Sequence, residues 1–99
     1  MIEHILLWQF TEQAKAEGAA QKLAYLQRRF AALPGRIEGL HRLRLLPNVN
    51  GGPYDLALIA EFDSMEAVRR YQQHPLHLDI QQTAKSWVTG RACVDVEMP

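Results

Sequence analysis

The sequence predicts an α+β fold in which an antiparallel sheet carries helices on one face. Three observations predict it. Apolar side chains alternate with a two-residue period in four separate stretches. Between them, apolar residues recur at steps of three and four. The segments follow one another in the order strand, helix, strand, strand, helix, strand, which is the ferredoxin-like arrangement.

Residues 2–10 form the first strand, with Ile2, His4, Leu6, Trp8 and Phe10 on one face and Met1, Glu3, Ile5, Leu7 and Gln9 on the other. Both faces are largely apolar. Thr11 is the expected N-cap of the first helix, with Glu12 near the positive end of its dipole. Along that helix Ala19, Leu23, Leu26, Phe30 and Leu33 make one stripe, Gly18 is a weak point, and Pro34-Gly35 is the expected end.

Leu40 to Leu46 alternate again as a second strand, with His41, Leu43 and Leu45 on one side. The stretch from Pro47 to Pro53, with Asn50-Gly51-Gly52 inside it, reads as the turn to a third strand. That strand, Tyr54 to Phe62, is apolar at every even position and at Ala57 and Ile59, so it should be central and covered on both sides.

Ser64 should cap a short helix that buries Ala67, Val68 and Tyr71 and runs toward His74. Pro75 interrupts it. With His74 as cap and Pro75 at the first helical position, a further helix extends to about Val88, placing His77, Ile80, Ala84 and Trp87 on its inward face. Gly90 ends it, and Ala92 to Met98 alternate as the last strand.

Composition narrows the partners. The 99 residues are 47% hydrophobic and 22% charged, as expected for one folded domain spanning the whole chain, residues 1 to 99. Eleven Lys and Arg balance eleven Asp and Glu, so no net field draws in nucleic acid or an anionic membrane. No stretch approaches the length of a membrane span, and no signal peptide is visible at the N-terminus. The single cysteine, Cys93, lies in the last strand as an expected buried hydrophobe and points to a cytoplasmic protein. Helices on one face leave the other face of the sheet bare. Because the first and third strands are apolar on both faces, two copies are expected to pair sheet to sheet as a homodimer.

The segments MIEHILLWQF, LPGRIEGLHRL, YDLALIAEFDSMEAVRRYQQHPLHLDI and RACVDVEM closely resemble the stress-responsive A/B barrel (Dabb) domain family. The resemblance runs over essentially the whole chain, and its specific part is HPxH after a tyrosine. It implies a ferredoxin-like protomer and a homodimeric α+β barrel. The family includes plant stress-associated proteins, a plant polyketide cyclase that works without metal or cofactor, and bacterial proteins with no assigned role. By resemblance to the cyclase branch, His77 matches the general base, Tyr71 its supporting hydroxyl and His4 a further pocket residue.

The residues support a similar grouping. His4 and His77 both lie on otherwise apolar faces, and Tyr71 precedes His77 by one and a half turns. Removing a proton from carbon beside a carbonyl needs a base whose pKa is near working pH, which imidazole supplies. The same residues equally suit structural roles, His77 locking the Pro75 turn and His4 bridging strand and helix. Trp8 and Trp87 either line a cavity or fill the core. His74 and His77 have the spacing of some helical metal pairs, but His74 is the expected cap and no third and fourth ligands accompany it, so neither metal nor cofactor is expected. Arg28, Arg29, Arg69 and Arg70 read as solvated faces.

Three readings follow. The first is a homodimer binding a small, largely apolar organic ligand between sheet and helices, acting as a cofactor-free cyclase or isomerase. The second is a non-enzymatic stress or assembly protein. The third is a haem- or quinone-handling monooxygenase of the wider dimeric barrel group.

Overall fold

The computed structural model describes residues 1–99, with strands β1 (Ile2–Phe10), β2 (Leu40–Pro47), β3 (Leu56–Phe62) and β4 (Val88–Glu97) and helices α1 (Glu12–Ala31), α2 (Met65–Gln73) and α3 (Pro75–Ala84). The four strands make one antiparallel sheet in the order β2-β3-β1-β4. This is the ferredoxin-like α+β arrangement that the element order implies.

The caps fall where the side chains dictate. Thr11 accepts from the Ala14 N–H at 3.1 Å and Ser64 from the Ala67 N–H at 3.2 Å, each satisfying a donor with no partner inside the helix. His74 ends α2 and begins α3, its Nδ1 accepting from the Leu76 N–H at 3.1 Å, with Pro75 at the first turn. Gly18 interrupts α1 with φ 109° and ψ 79°, a conformation open to a residue without Cβ.

The core lies between one face of the sheet and the three helices. Ile2, His4, Leu6 and Phe10 of β1 and Leu56, Leu58, Ala60 and Phe62 of β3 are buried there against Leu26, Phe30, Val68, Tyr71 and Ile80. The opposite face carries no helix. Successive rows across it read Arg42-Glu61-Glu3-Val96, Arg44-Ile59-Ile5-Val94 and Leu46-Ala57-Leu7-Ala92. Two of the three rows are mainly apolar, and Leu46, Val94 and Met98 are exposed.

Seven expectations are corrected. The helix beginning at Pro75 ends at Ala84 rather than near Val88, because Val88 and Thr89 pair across to Phe10 and Gln9 of β1. Trp87 therefore precedes a strand instead of lying on a helix face, and Gly90, with φ 64°, sits within β4 beside a register shift. In β2 a shift between Leu40 and Arg42 turns His41 outward and buries Leu40 with Leu43 and Leu45. Helix α1 stops at Ala31, three residues before Pro34, and β3 begins at Leu56 because the Asp55 side chain accepts from the Phe10 N–H at 2.7 Å. Cys93 is exposed on the edge strand rather than buried.

Candidate functional site

A cavity of about 440 Å³ opens between β1, β4 and the helices. Its buried wall is formed by His4, Leu6, Phe30, Tyr71 and Ala84, and its exposed rim by Gln81, Lys85, Thr89 and Arg91. Trp8, Val88 and His77 lie between these two zones, half-buried. A volume of this size is in the usual range for small-molecule sites.

The structure brings Tyr71, His77 and His4 together. Tyr71 stands between the two histidines, with ring centroids 4.3 Å from His77 and 6.2 Å from His4. Phe62 backs the group at 5.1 Å from Tyr71 and 6.0 Å from His4. α2 supplies Tyr71 from its buried stripe, the His74-Pro75 break redirects the chain, and His77 then falls in the first turn of α3.

Hydrogen bonding sets the histidine tautomers. His4 is wholly buried, and its Nδ1–H donates to Asp95 Oδ1 at 2.6 Å. His77 Nδ1–H donates to the Gln72 carbonyl oxygen at 3.1 Å. Each ring then has its Nε2 free to accept a proton when neutral. His77 is held below its ordinary pKa chiefly by burial, with His4 and Arg91 pushing the same way and the Gln72 carbonyl opposing them. Its imidazole is thus a neutral acceptor at physiological pH.

Two polar atoms in the buried wall have no protein partner: His4 Nε2 and the Tyr71 hydroxyl. Burying such groups unsatisfied costs about 1–3 kcal/mol each, so structures rarely retain them without a use. Burial pushes the Tyr71 phenol well above its ordinary value, so it remains a protonated donor at any working pH.

The other candidates separate. Trp8 lines the cavity. Trp87 stands outside it, its ring against Tyr25 at 5.6 Å and under the Lys22 ammonium at 4.9 Å. His74 is occupied as a cap. Asp95 was missed by sequence reasoning, although antiparallel pairing of β1 with β4 places it opposite His4. A metal could draw on His4, Cys93 and Asp95, whose donor atoms lie within 4.8 Å of one another. The 2.6 Å between His4 and Asp95 is a hydrogen bond, shorter than the roughly 3.3 Å separating two ligands of a tetrahedral zinc. Partial burial and the Asp95 carboxylate also raise the Cys93 thiol, disfavouring the thiolate a metal needs.

A one-sided ferredoxin-like α+β sheet with a polar-ended cavity under its helices defines the class. The chain belongs to the stress responsive A/B barrel domain family, whose sequence model matches residues 2–98. Among solved structures, it is similar to a Bacteroides fragilis protein described as dimeric, ferredoxin-like and of unknown function. That match has 26% identity and a TM-score of 0.77, and covers 98% of this chain and 95% of that one. A protein from Arabidopsis thaliana matches at 21% identity and TM-score 0.84 over 100% of this chain and 96% of that one. A Nitrosomonas europaea protein provisionally described as an antibiotic biosynthesis monooxygenase matches at 14% identity and TM-score 0.78 over 99% and 98%. The last two share the fold. No curated protein matches the chain.

Proposed function

We propose that the protein is a cytoplasmic homodimer that binds a small, largely apolar carbonyl compound in the cavity and abstracts a proton from the carbon beside the carbonyl, without a cofactor. The observation that carries this reading is a cavity lined by His4, Tyr71 and His77, in which two buried polar atoms of the lining residues, His4 Nε2 and the Tyr71 hydroxyl, have no protein partner.

The roles follow from the chemistry of the groups. A carbonyl oxygen accepts from the Tyr71 hydroxyl, which stabilises the charge that develops as an enolate forms. His77 Nε2 accepts the carbon-bound proton, its Nδ1–H anchored on Gln72. Asp95 orients His4, whose Nε2 contacts the ligand or exchanges a proton with it. Dimerisation covers the apolar rows of the open sheet face, and the similar proteins from Bacteroides fragilis and Thermobifida fusca are described as dimeric. The monooxygenase description belongs to structures that share only the fold, and no residue of this cavity favours it.

Proton abstraction is tested by incubating the protein with butyrophenone in D₂O and following loss of the signal of the protons beside the carbonyl by NMR. The reading expects exchange faster than in buffer, lost in His77→Ala and reduced in Tyr71→Phe. Exchange at the buffer rate, or unchanged in folded His77→Ala, overturns the catalytic assignment and leaves a binding or structural protein.

A further inference from the structure

We propose that the natural occupant of the cavity is an organic anion: an apolar carbonyl compound bearing a carboxylate, held at the rim by Arg91 and Lys85. This rests on the ligand-binding reading above and adds the charge and polarity of the ligand.

The cavity is graded in polarity. Its buried wall offers His4 and Tyr71 beside Leu6 and Phe30, Trp8 and His77 are half-buried, and its rim carries two cations. No acidic side chain lines it. The chain as a whole is balanced, so this local excess of positive charge is a property of the site rather than of the composition. Neither Lys85 nor Arg91 forms an ion pair, whereas Lys15, Lys22 and Arg29 each meet a carboxylate. Asp95, the acid nearest in sequence to Arg91, is engaged by His4.

Arg91 is placed by backbone geometry. Gly90 takes φ 64°, a left-handed conformation that turns the chain just before Arg91. Arg91 then shares the inward face of β4 with Cys93 and Asp95. Its charge also acts on the His77 ring. Cations beside a cavity with low-dielectric walls favour an anionic ligand more than they would in water.

Isothermal titration of the full-length protein with three probes tests this: 4-benzoylbutyrate, its primary amide and the neutral ketone butyrophenone. The acid is expected to bind at least tenfold more tightly than the amide at 50 mM salt. In the Lys85→Gln/Arg91→Gln double variant that preference should fall below threefold, with butyrophenone bound as in the wild type. An acid preference under tenfold, or one of threefold or more in the double variant, overturns the charge assignment. Loss of butyrophenone from the double variant does the same, by assigning the cations to the shape of the cavity. If butyrophenone binds without an acid preference, only this proposal falls. If none of the three probes binds the wild type, the ligand-binding reading fails and this proposal with it.

Discussion

Replacing Tyr71 by Phe removes one oxygen atom and separates a structural from a ligand-directed role by the sign of its effect. Tyr71 is 1% exposed and its hydroxyl meets no protein partner. The ring itself is well held, against His77 at 4.3 Å and Phe62 at 5.1 Å, and these contacts survive in Phe. A hydroxyl that stabilised the fold through a hydrogen bond would cost about 1 kcal/mol to delete, whereas removing a desolvated, unsatisfied one returns part of a penalty of about 1–3 kcal/mol. The geometry predicts the second case, a gain of about 1 kcal/mol. For a chain of this size that raises Tm by about 4–8 °C. Calorimetry of the ligand-free protein at pH 7 checks it, and titration with butyrophenone should show affinity lowered in the same variant. A Tm lowered by 4 °C or more would show instead that the hydroxyl holds the fold together.

Stability should decline as pH drops below about 6.5: His77 is held neutral in the fold, while the unfolded chain takes up a proton at the ordinary histidine value. The contribution is fully present above that value and is lost as pH falls through the depressed folded one; urea titrations from pH 7.5 to 5 should therefore show a shallower decline in His77→Gln than in the wild type. Gly90→Ala should cost at least about 1–2 kcal/mol, since a left-handed conformation penalises Cβ and the new atom would also meet Gln9; equal stability by chemical denaturation would show that β4 relaxes. Val94 is 50% exposed in the protomer, on the open sheet face in the edge strand β4, so Val94→Lys should leave circular dichroism unchanged. In sedimentation at micromolar concentration the wild type should run at twice the 11.3 kDa of one chain and this variant at one chain mass.

Most of the fold was legible because local chemistry and global packing agree over long stretches. Runs of apolar residues in β1 and β3 mark them as buried strands, and Thr11, Ser64 and His74-Pro75 place three helix starts. What escaped is set by pairing between distant strands. Whether Val88 continues a helix or begins a strand depends on Phe10 and Gln9 across the sheet, and the local period does not encode that. The bulge in β2 likewise moves His41 outward by inserting one residue opposite Glu61. The site was legible to the same degree. His4, Tyr71 and His77 stand out as polar groups on apolar stripes, but Asp95 and Arg91 alternate with valines and alanine in an edge strand. Only the register of β4 against β1 shows that their face, not the apolar one, turns toward the cavity. Trp87 failed for the same reason as Val88, since its assignment depended on a helix that stops at Ala84.

If the unpartnered atoms of His4 and Tyr71 serve a bound molecule, as proposed, the cavity imidazoles should sense its arrival. Long-range ¹H–¹⁵N NMR of the imidazole nitrogens during titration with 4-benzoylbutyrate tests it most directly. Nε2 of His4 and of His77 should shift together and saturate with the ligand, while His41, on the outer face of β2, should stay unmoved. Saturable binding that leaves both cavity histidines unshifted would contradict it.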